Sequence, residues 1–286
     1  MPPFLNWVDP WQGEVDSANL LAAVVGDDPL PDVIIGRMPV NNDLELTNIV
    51  SKTISYEQSA PGDWKKRVLF IADNTPDPAG DFIAQSEQII TGFLPAGYTP
   101  DRVYLDDFMD TNTCNPPPAD GIHQCPAAVQ ALITDLNQTG AFLVNYTGHA
   151  SLNLWASEVI LSNQDIPSLN NGLKLPIILS MTCLDGYWIH PNLTVSSKAG
   201  PGLAEELVRA QQRGAVATFS PTGLGVGTGH DVLQRGFYSA VFQTGVTRLG
   251  EAALAAKLAL YTTGYNLDLL HTFTVFGDPA LRLTNP

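Results

Sequence analysis

Two residue types capable of covalent chemistry stand at the ends of two apolar runs. Ala-Phe-Leu-Val-Asn-Tyr-Thr (141–147) stops at Gly148-His149, and Leu-Pro-Ile-Ile-Leu-Ser-Met-Thr (175–182) stops at Cys183. A thiol is mostly protonated at neutral pH, and a nearby imidazole can take its proton or stabilise the thiolate. Such a thiolate attacks a carbonyl, the protonated imidazole then supplies the leaving amine with a proton, and backbone N–H groups receive the developing oxyanion. The N–H groups of Cys183 and of Ala150, the residue after the histidine, are the candidates for that last role.

The elements that must deliver these groups follow from the pattern. Short apolar, β-branched runs bounded by turn residues read as strands buried on both faces, as in a parallel sheet. The chain between the two runs is long enough for a crossover connection. Chemistry in open α/β sheets sits off the carboxyl ends of the strands, so imidazole and thiol are expected at one rim. His190 is a rival imidazole close to Cys183 in sequence, and Tyr187 and Trp188 are candidate cleft residues.

Three motifs carry a family resemblance: Asn-Tyr-Thr-Gly-His (145–149), Met-Thr-Cys-Leu-Asp-Gly (181–186) and Thr-Val-Phe-Gly-Asp-Pro-Ala-Leu (274–281). Together with Asp-Val-Ile-Ile-Gly-Arg-Met-Pro-Val (32–40), they resemble the gingipain family of cysteine peptidases, in order and over most of the chain. The resemblance implies a caspase-like α/β three-layer sandwich with a mostly parallel central sheet, preceded by a smaller α/β subdomain. It implies that His149 and Cys183 form the catalytic dyad. It also implies a loop after the first large-unit strand carrying one acid that orients the histidine and another that selects a basic side chain. The acids there are Asp73, Asp77 and Asp81. Asp73 is the expected orienter and Asp81 an expected substrate contact, but Phe82-Ile83 stand where the pocket acid belongs. Leu224 and Gly225 stand where the family carries a pocket aromatic. Both departures point away from Arg or Lys specificity. The family has Gly after the histidine; Ala150 here is strained if that position needs φ > 0.

The 286 residues allow one large domain or two unequal subdomains, and we expect a boundary at Ala60–Asp63, dividing 1–62 from 63–286. A net charge of −15 argues against nucleic acid and anionic membranes as partners. No stretch reaches the ~18 apolar residues of a membrane span. The amino terminus lacks the basic and apolar regions of a signal peptide, and by resemblance the chain is a domain of a longer, exported or surface-located precursor. Other domains or a propeptide are then expected partners beside the polypeptide substrate. No cofactor is needed for the chemistry. Asp9, Glu14, Asp16, Asp27 and Asp28 offer oxygens for a structural calcium, with a solvated acidic loop as the alternative.

The remaining chain reads as follows. Asp32–Arg37 is expected as a strand, and a helix from Asn41 to about Glu57 carries Leu44, Ile49, Val50 and Ile54 on its inner face. Arg67–Ala72 and Arg102–Leu105 are strands, and Phe82–Leu94 and Pro126–Asn137 are helices. Cys114 and Cys125 flank a Pro-rich loop and either form a disulfide or remain free; a zinc site with His123 lacks a fourth ligand. Ser151–Asn171 is mixed helix and loop, with Trp155 a packing residue, and Leu184–Lys198 is loop. Gly202–Gln212 is a helix and Ala215–Ser220 a strand. The run Pro221–His230 lacks a phosphate-loop ending and reads as a flexible cleft wall. Asp231 is expected to cap a helix to Phe242, followed by a helix over Glu251–Tyr261, a strand over His271–Phe276, and a turn at Asp278. The reading that unites these features is a cysteine endopeptidase. A transpeptidase, in which an amine resolves the thioester, and a non-catalytic binding module on a peptidase scaffold are the alternatives.

Overall fold

The computed structural model describes residues 1–60, 62–109, 114, 124–190 and 201–283. The chain opens with a hairpin, β1 (Leu5–Asp9) and β2 (Gly13–Asp16), then α1 (Ala18–Ala22) and α2 (Asp43–Gln58). It continues with β3 (Arg67–Ala72), α3 (Phe82–Phe93), β4 (Thr99–Tyr104), α4 (Asp106–Met109), α5 (Pro126–Thr134) and β5 (Leu143–Thr147). A small meander follows, β6 (Ala150–Ser151), β7 (Leu154–Trp155) and β8 (Leu161–Ser162). The chain then runs through β9 (Ile177–Met181), α6 (Leu203–Arg209), β10 (Ala217–Pro221), α7 (Gly227–Phe242), α8 (Leu249–Thr263), α9 (Asp268–Thr272) and β11 (Phe273–Phe276).

Six strands form the central sheet in the order β11-β10-β9-β5-β3-β4. All neighbours are parallel except β10 and β11. Side chains on a strand alternate faces, and the alternation divides the core. Val68, Phe70 and Ala72 join residues of α3, α7 and α8, whereas Leu69 and Ile71 join residues of α5, α6 and the meander. The result is the expected α/β three-layer sandwich. The strand order reverses between β3 and β5, so the crevice at their carboxyl ends is the topological switch point.

Several sequence expectations need correction. Residues 32–37 make no strand; Arg37 alone forms a bridge to Phe276. Helix α2 forms, capped by Asn42, but Leu44, Val50 and Ile54 face outward and only Ile49 of the expected four is buried. Lys52 is buried instead, because its ammonium donates to the carbonyls of Leu207, Val208, Ala210 and Arg213 around the end of α6. The stretch 151–171 is the β6–β8 meander and a single 3-10 turn, not a helix. Helix α7 starts at Gly227, so Asp231 lies inside it and the second half of the glycine run is helical. His271 sits on α9, ahead of β11. Cys114 and Cys125 are disulfide-bonded and therefore unavailable to zinc. The rest of the Pro-rich loop, His123, and residues 191–198 lie outside the described residues.

Candidate active site

Strands β5 and β9 are adjacent and parallel, and their last paired residues are Thr147 and Met181. His149 and Cys183 each stand two residues beyond that rung, on the carboxyl rim. The two buried β-branched runs thus end on the same rim of the sheet, His149 beyond β5 and Cys183 beyond β9. Asp73 and Asp77 follow β3, the strand on the other side of β5.

The histidine side is held by carboxylates. Asp73 is buried and does not meet the ring: its Oδ2 accepts the His149 backbone N–H at 2.9 Å, and its Oδ1 accepts that of Asn74 at 2.9 Å. The ring partner is Asp77, whose Oδ1 lies 3.2 Å from Nε2 of His149. Desolvation raises the Asp73 carboxyl above its ordinary value, against the pull of those two N–H groups. Asp77 behaves oppositely. Desolvation, its largest single influence, is outweighed by the Ala79 N–H and the imidazole together, which hold it below the usual carboxylate range. The Phe82 ring meets the imidazole edge-on at 5.6 Å. Gly148 allows the close approach of this loop to β3, since a Cβ there would lie 2.4 Å from Cβ of Asp73. The Tyr146 hydroxyl donates to the His149 carbonyl, and its ring stacks on Trp155 at 4.4 Å.

Ala150 is extended and absent from the residues of positive φ, so the alanine is unstrained. Ala156 N–H donates to the His149 carbonyl, and Ala150 pairs with Trp155 one step further along. The alternation of an antiparallel ladder therefore makes Ala150–Trp155 a non-hydrogen-bonded pair, with the Ala150 N–H directed away from its strand partner.

The cysteine side is held by carbonyls. The Cys183 thiol donates to the Gly225 carbonyl at 3.6 Å, and the next residue, Leu184, donates its N–H to the Gly223 carbonyl at 3.0 Å. Leu184 has φ of +60°, a left-handed conformation that costs a side-chain-bearing residue on the order of 1 kcal/mol. It turns the chain so that the Asp185 N–H reaches back to the Cys183 carbonyl at 2.8 Å. Burial pushes the thiol above its ordinary value, and the charges of Asp185 and Asp9 push the same way while the Gly225 contact opposes them. Asp185 is fully buried beneath the turn. Trp155 Nε1 donates to it at 3.0 Å, and burial pushes its carboxyl up to about 7.

The remaining expected contacts divide. Asp81 caps α3, accepting the Ala84 N–H at 2.8 Å. Trp188 donates its indole N–H to Asp16 at 3.0 Å and lies 3.8 Å beneath the Arg37 guanidinium, so it anchors the N-terminal segment. Tyr187 meets His190 edge-on at 6.2 Å, half-buried in the turn that follows Cys183. Leu224 is half-buried between the two glycines whose carbonyls hold Cys183 and Leu184. Asp9 spends its oxygens on the backbone N–H groups of Trp11, Gln12 and Leu224, and Asp16 on the Phe4 N–H and the Trp188 indole, whereas Glu14, Asp27 and Asp28 are exposed. No group of three or more metal-ligating side chains is assembled among the described residues. Sequence reading missed the ring contact of Asp77, the buried Asp185 and the reach of Asp9. Only Asp77 carried a signal, its place in the acidic loop.

Comparison with known proteins fits this geometry. Gingipain R2 of Porphyromonas gingivalis is 27% identical over 290 residues, covering 93% of this chain and 35% of the relative. Lys-gingipain HG66 of the same organism is 24% identical over 203 residues, covering 70% of this chain and 10% of the relative. The chain therefore spans about a third of gingipain R2. The crystal structure of gingipain R (RgpB), an Arg-specific cysteine proteinase, superposes with a TM-score of 0.76 at 24% identity, covering 94% of this chain and 59% of that one. A complex of the RgpB pro- and mature domains gives 0.76 at 24% identity, covering 93% and 60%. The fold is thus the caspase-like fold of gingipain R. The model of peptidase family C25 matches residues 2–284, and the chain belongs to that family.

Proposed function

We propose that this chain is the catalytic part of a cysteine endopeptidase, with Cys183 as nucleophile and His149 as base and acid. The observation that carries the reading is the pair of strand ends: imidazole and thiol two residues beyond one rung, with Asp77 on the ring. The thiol rests protonated against the Gly225 carbonyl, because burial and two buried carboxylates disfavour the thiolate. Attack on a peptide carbonyl forms the C–S bond as the thiol proton passes to His149 and the carbonyl electron pair moves to oxygen. The N–H groups of Ala150 and Cys183 receive that oxyanion. The imidazolium, held by the Asp77 charge, then protonates the leaving amine as the C–N bond breaks. A water molecule deprotonated by His149 hydrolyses the thioester. Asp73 acts on the backbone, fixing where the histidine sits. The chemistry needs no cofactor.

The pocket prefers a non-basic side chain. The carboxylates of the loop after β3 are already engaged: Asp73 on two backbone N–H groups, Asp77 on the imidazole, and Asp81 on α3. Phe82, at the sequence position where the resemblance places the pocket acid, packs edge-on against the imidazole. Family membership supports an exported or surface location and further domains or a propeptide in the whole protein, and 1–62 is a smaller unit beside the catalytic one. The test is mass spectrometry of a diverse peptide mixture incubated with the protein and with its Cys183→Ala variant. New peptide ends that require Cys183 support the reading, and their residue preference reads out the pocket. Ligated ends would make it a transpeptidase; no cleavage together with an unreactive Cys183 would make it a binding module.

A further inference from the structure

We propose that the β1–β2 hairpin is the outer wall of the substrate cleft, and that the Trp11 indole at its tip takes an apolar or aromatic side chain of the polypeptide beside the nucleophile. The inference rests on the peptidase reading for its occupant and on a continuous set of contacts for its place. Gly223 and Gly225 turn their carbonyls to Leu184 and Cys183. Between them, the Leu224 N–H is taken by Asp9 Oδ2 at 2.6 Å. The other oxygen of the same carboxylate accepts the N–H groups of Trp11 at 2.8 Å and Gln12 at 2.9 Å. One buried carboxylate thus ties the hairpin tip to the three-residue segment that holds the nucleophile. The approach is close, since a Cβ on Gly223 would lie 2.5 Å from Asp9 Oδ2. The far end of the hairpin is fixed as well, by Thr222 Oγ1 donating to the Asp16 carbonyl at 2.8 Å. Asp9 is near enough to the thiol for its charge to bear on it.

The tip so placed presents an apolar surface. Trp11 is 55% exposed, and Trp7, whose ring covers Gly13, is 80% exposed. An exposed indole on a backbone pinned at both ends offers contact area at little cost in ordering. Leu224, half-buried and apolar, shares the same Asp9 carboxylate through its backbone N–H.

The test is protection of Cys183 from iodoacetamide by a peptide series whose single variable side chain is Trp, Leu or Ala, read by intact mass and needing no turnover. Trp11→Ala should raise the half-protecting concentration of the Trp and Leu peptides about tenfold and leave the Ala peptide unchanged. Trp11→Phe should recover most of the loss. Leu173→Ala, at the opposite rim ahead of β9, should change none. Equal shifts for all peptides, no shift, or no protection of the parent protein would overturn the inference. Cleavage by the parent with no role for Trp11 would remove the hairpin wall and leave the peptidase. Trp11-dependent protection without any cleavage would keep the wall and remove the peptidase.

Discussion

Both sides of the cleft present oxygen acceptors, but to groups of different chemistry. His149 is exposed and contacted by carboxylates, Asp77 on its ring and Asp73 on its backbone. Cys183 is mostly buried and gripped by carbonyls, with Asp185 and Asp9 behind it, so its surroundings disfavour an anion. On the reading proposed above, burial and the neighbouring carboxylates hold the thiol protonated until a substrate arrives. Proton transfer then belongs to the attack itself.

The largest test of that contrast removes the nucleophile. Cys183→Ala should lower turnover by about 10⁴-fold or more with little change in melting temperature, which kinetics and thermal unfolding read together. Next come the two acids of the base side. Asp77→Asn should reduce kcat/KM by about tenfold to a hundredfold, because it removes the charge facing the imidazolium. Asp73→Asn should cost less in kcat and more in melting temperature, since Asp73 holds backbone. Equal effects from both would erase the distinction between ring and backbone support.

Stability against pH addresses the nucleophile side. Asp185 has a folded pKa raised to about 7 from an ordinary 3.8, so between those values the folded protein keeps a proton that the unfolded chain has lost. Stability from this group therefore falls as pH rises through that range, and is lowest once the buried carboxyl ionises. Asp185→Asn should melt above the parent at pH 8, with an advantage that shrinks by pH 5 and vanishes below about pH 4. A pH-independent difference would contradict the buried-acid account. The smallest effect concerns Asp9. Asp9→Asn should move the alkylation midpoint of Cys183 down toward the ordinary thiol range, because a negative neighbour favours the protonated thiol. An unchanged or higher midpoint would show that Asp9 charge does not reach the sulfur.

Much of the frame was readable from residue types. Arg67–Ala72, 141–147 and 175–182 are apolar and β-branched because both faces of their strands are covered, and that pattern survives any detail of partner choice. Helix α2 shows where such reading fails. Leu44, Val50 and Ile54 look like part of a core face, yet they are exposed, and Lys52 is buried instead, its burial made tolerable by carbonyls some 155 residues away. The meander after His149 fails for a similar reason. Its two-residue strands derive their stability from the Tyr146–Trp155 stack and the Trp155–Asp185 bond, and neither partner is marked in the local sequence.

By itself the sequence determined the strands, the residues placed just beyond their ends and the acidic character of the loop facing them, because hydrophobic periodicity and turn residues act locally. Tertiary structure decided which acid meets the imidazole, what the thiol touches and which segment walls the cleft. Asp73 and Asp77 are equivalent as letters, but β3 carries Asp73 to the backbone of His149 and leaves Asp77 to reach its ring. Asp9 is distant in sequence from Leu224, and only the docking of the N-terminal hairpin makes it a strut of the nucleophile's support. Hydrogen bonds are short-ranged and directional, so their partners are chosen after the sheet has set the distances.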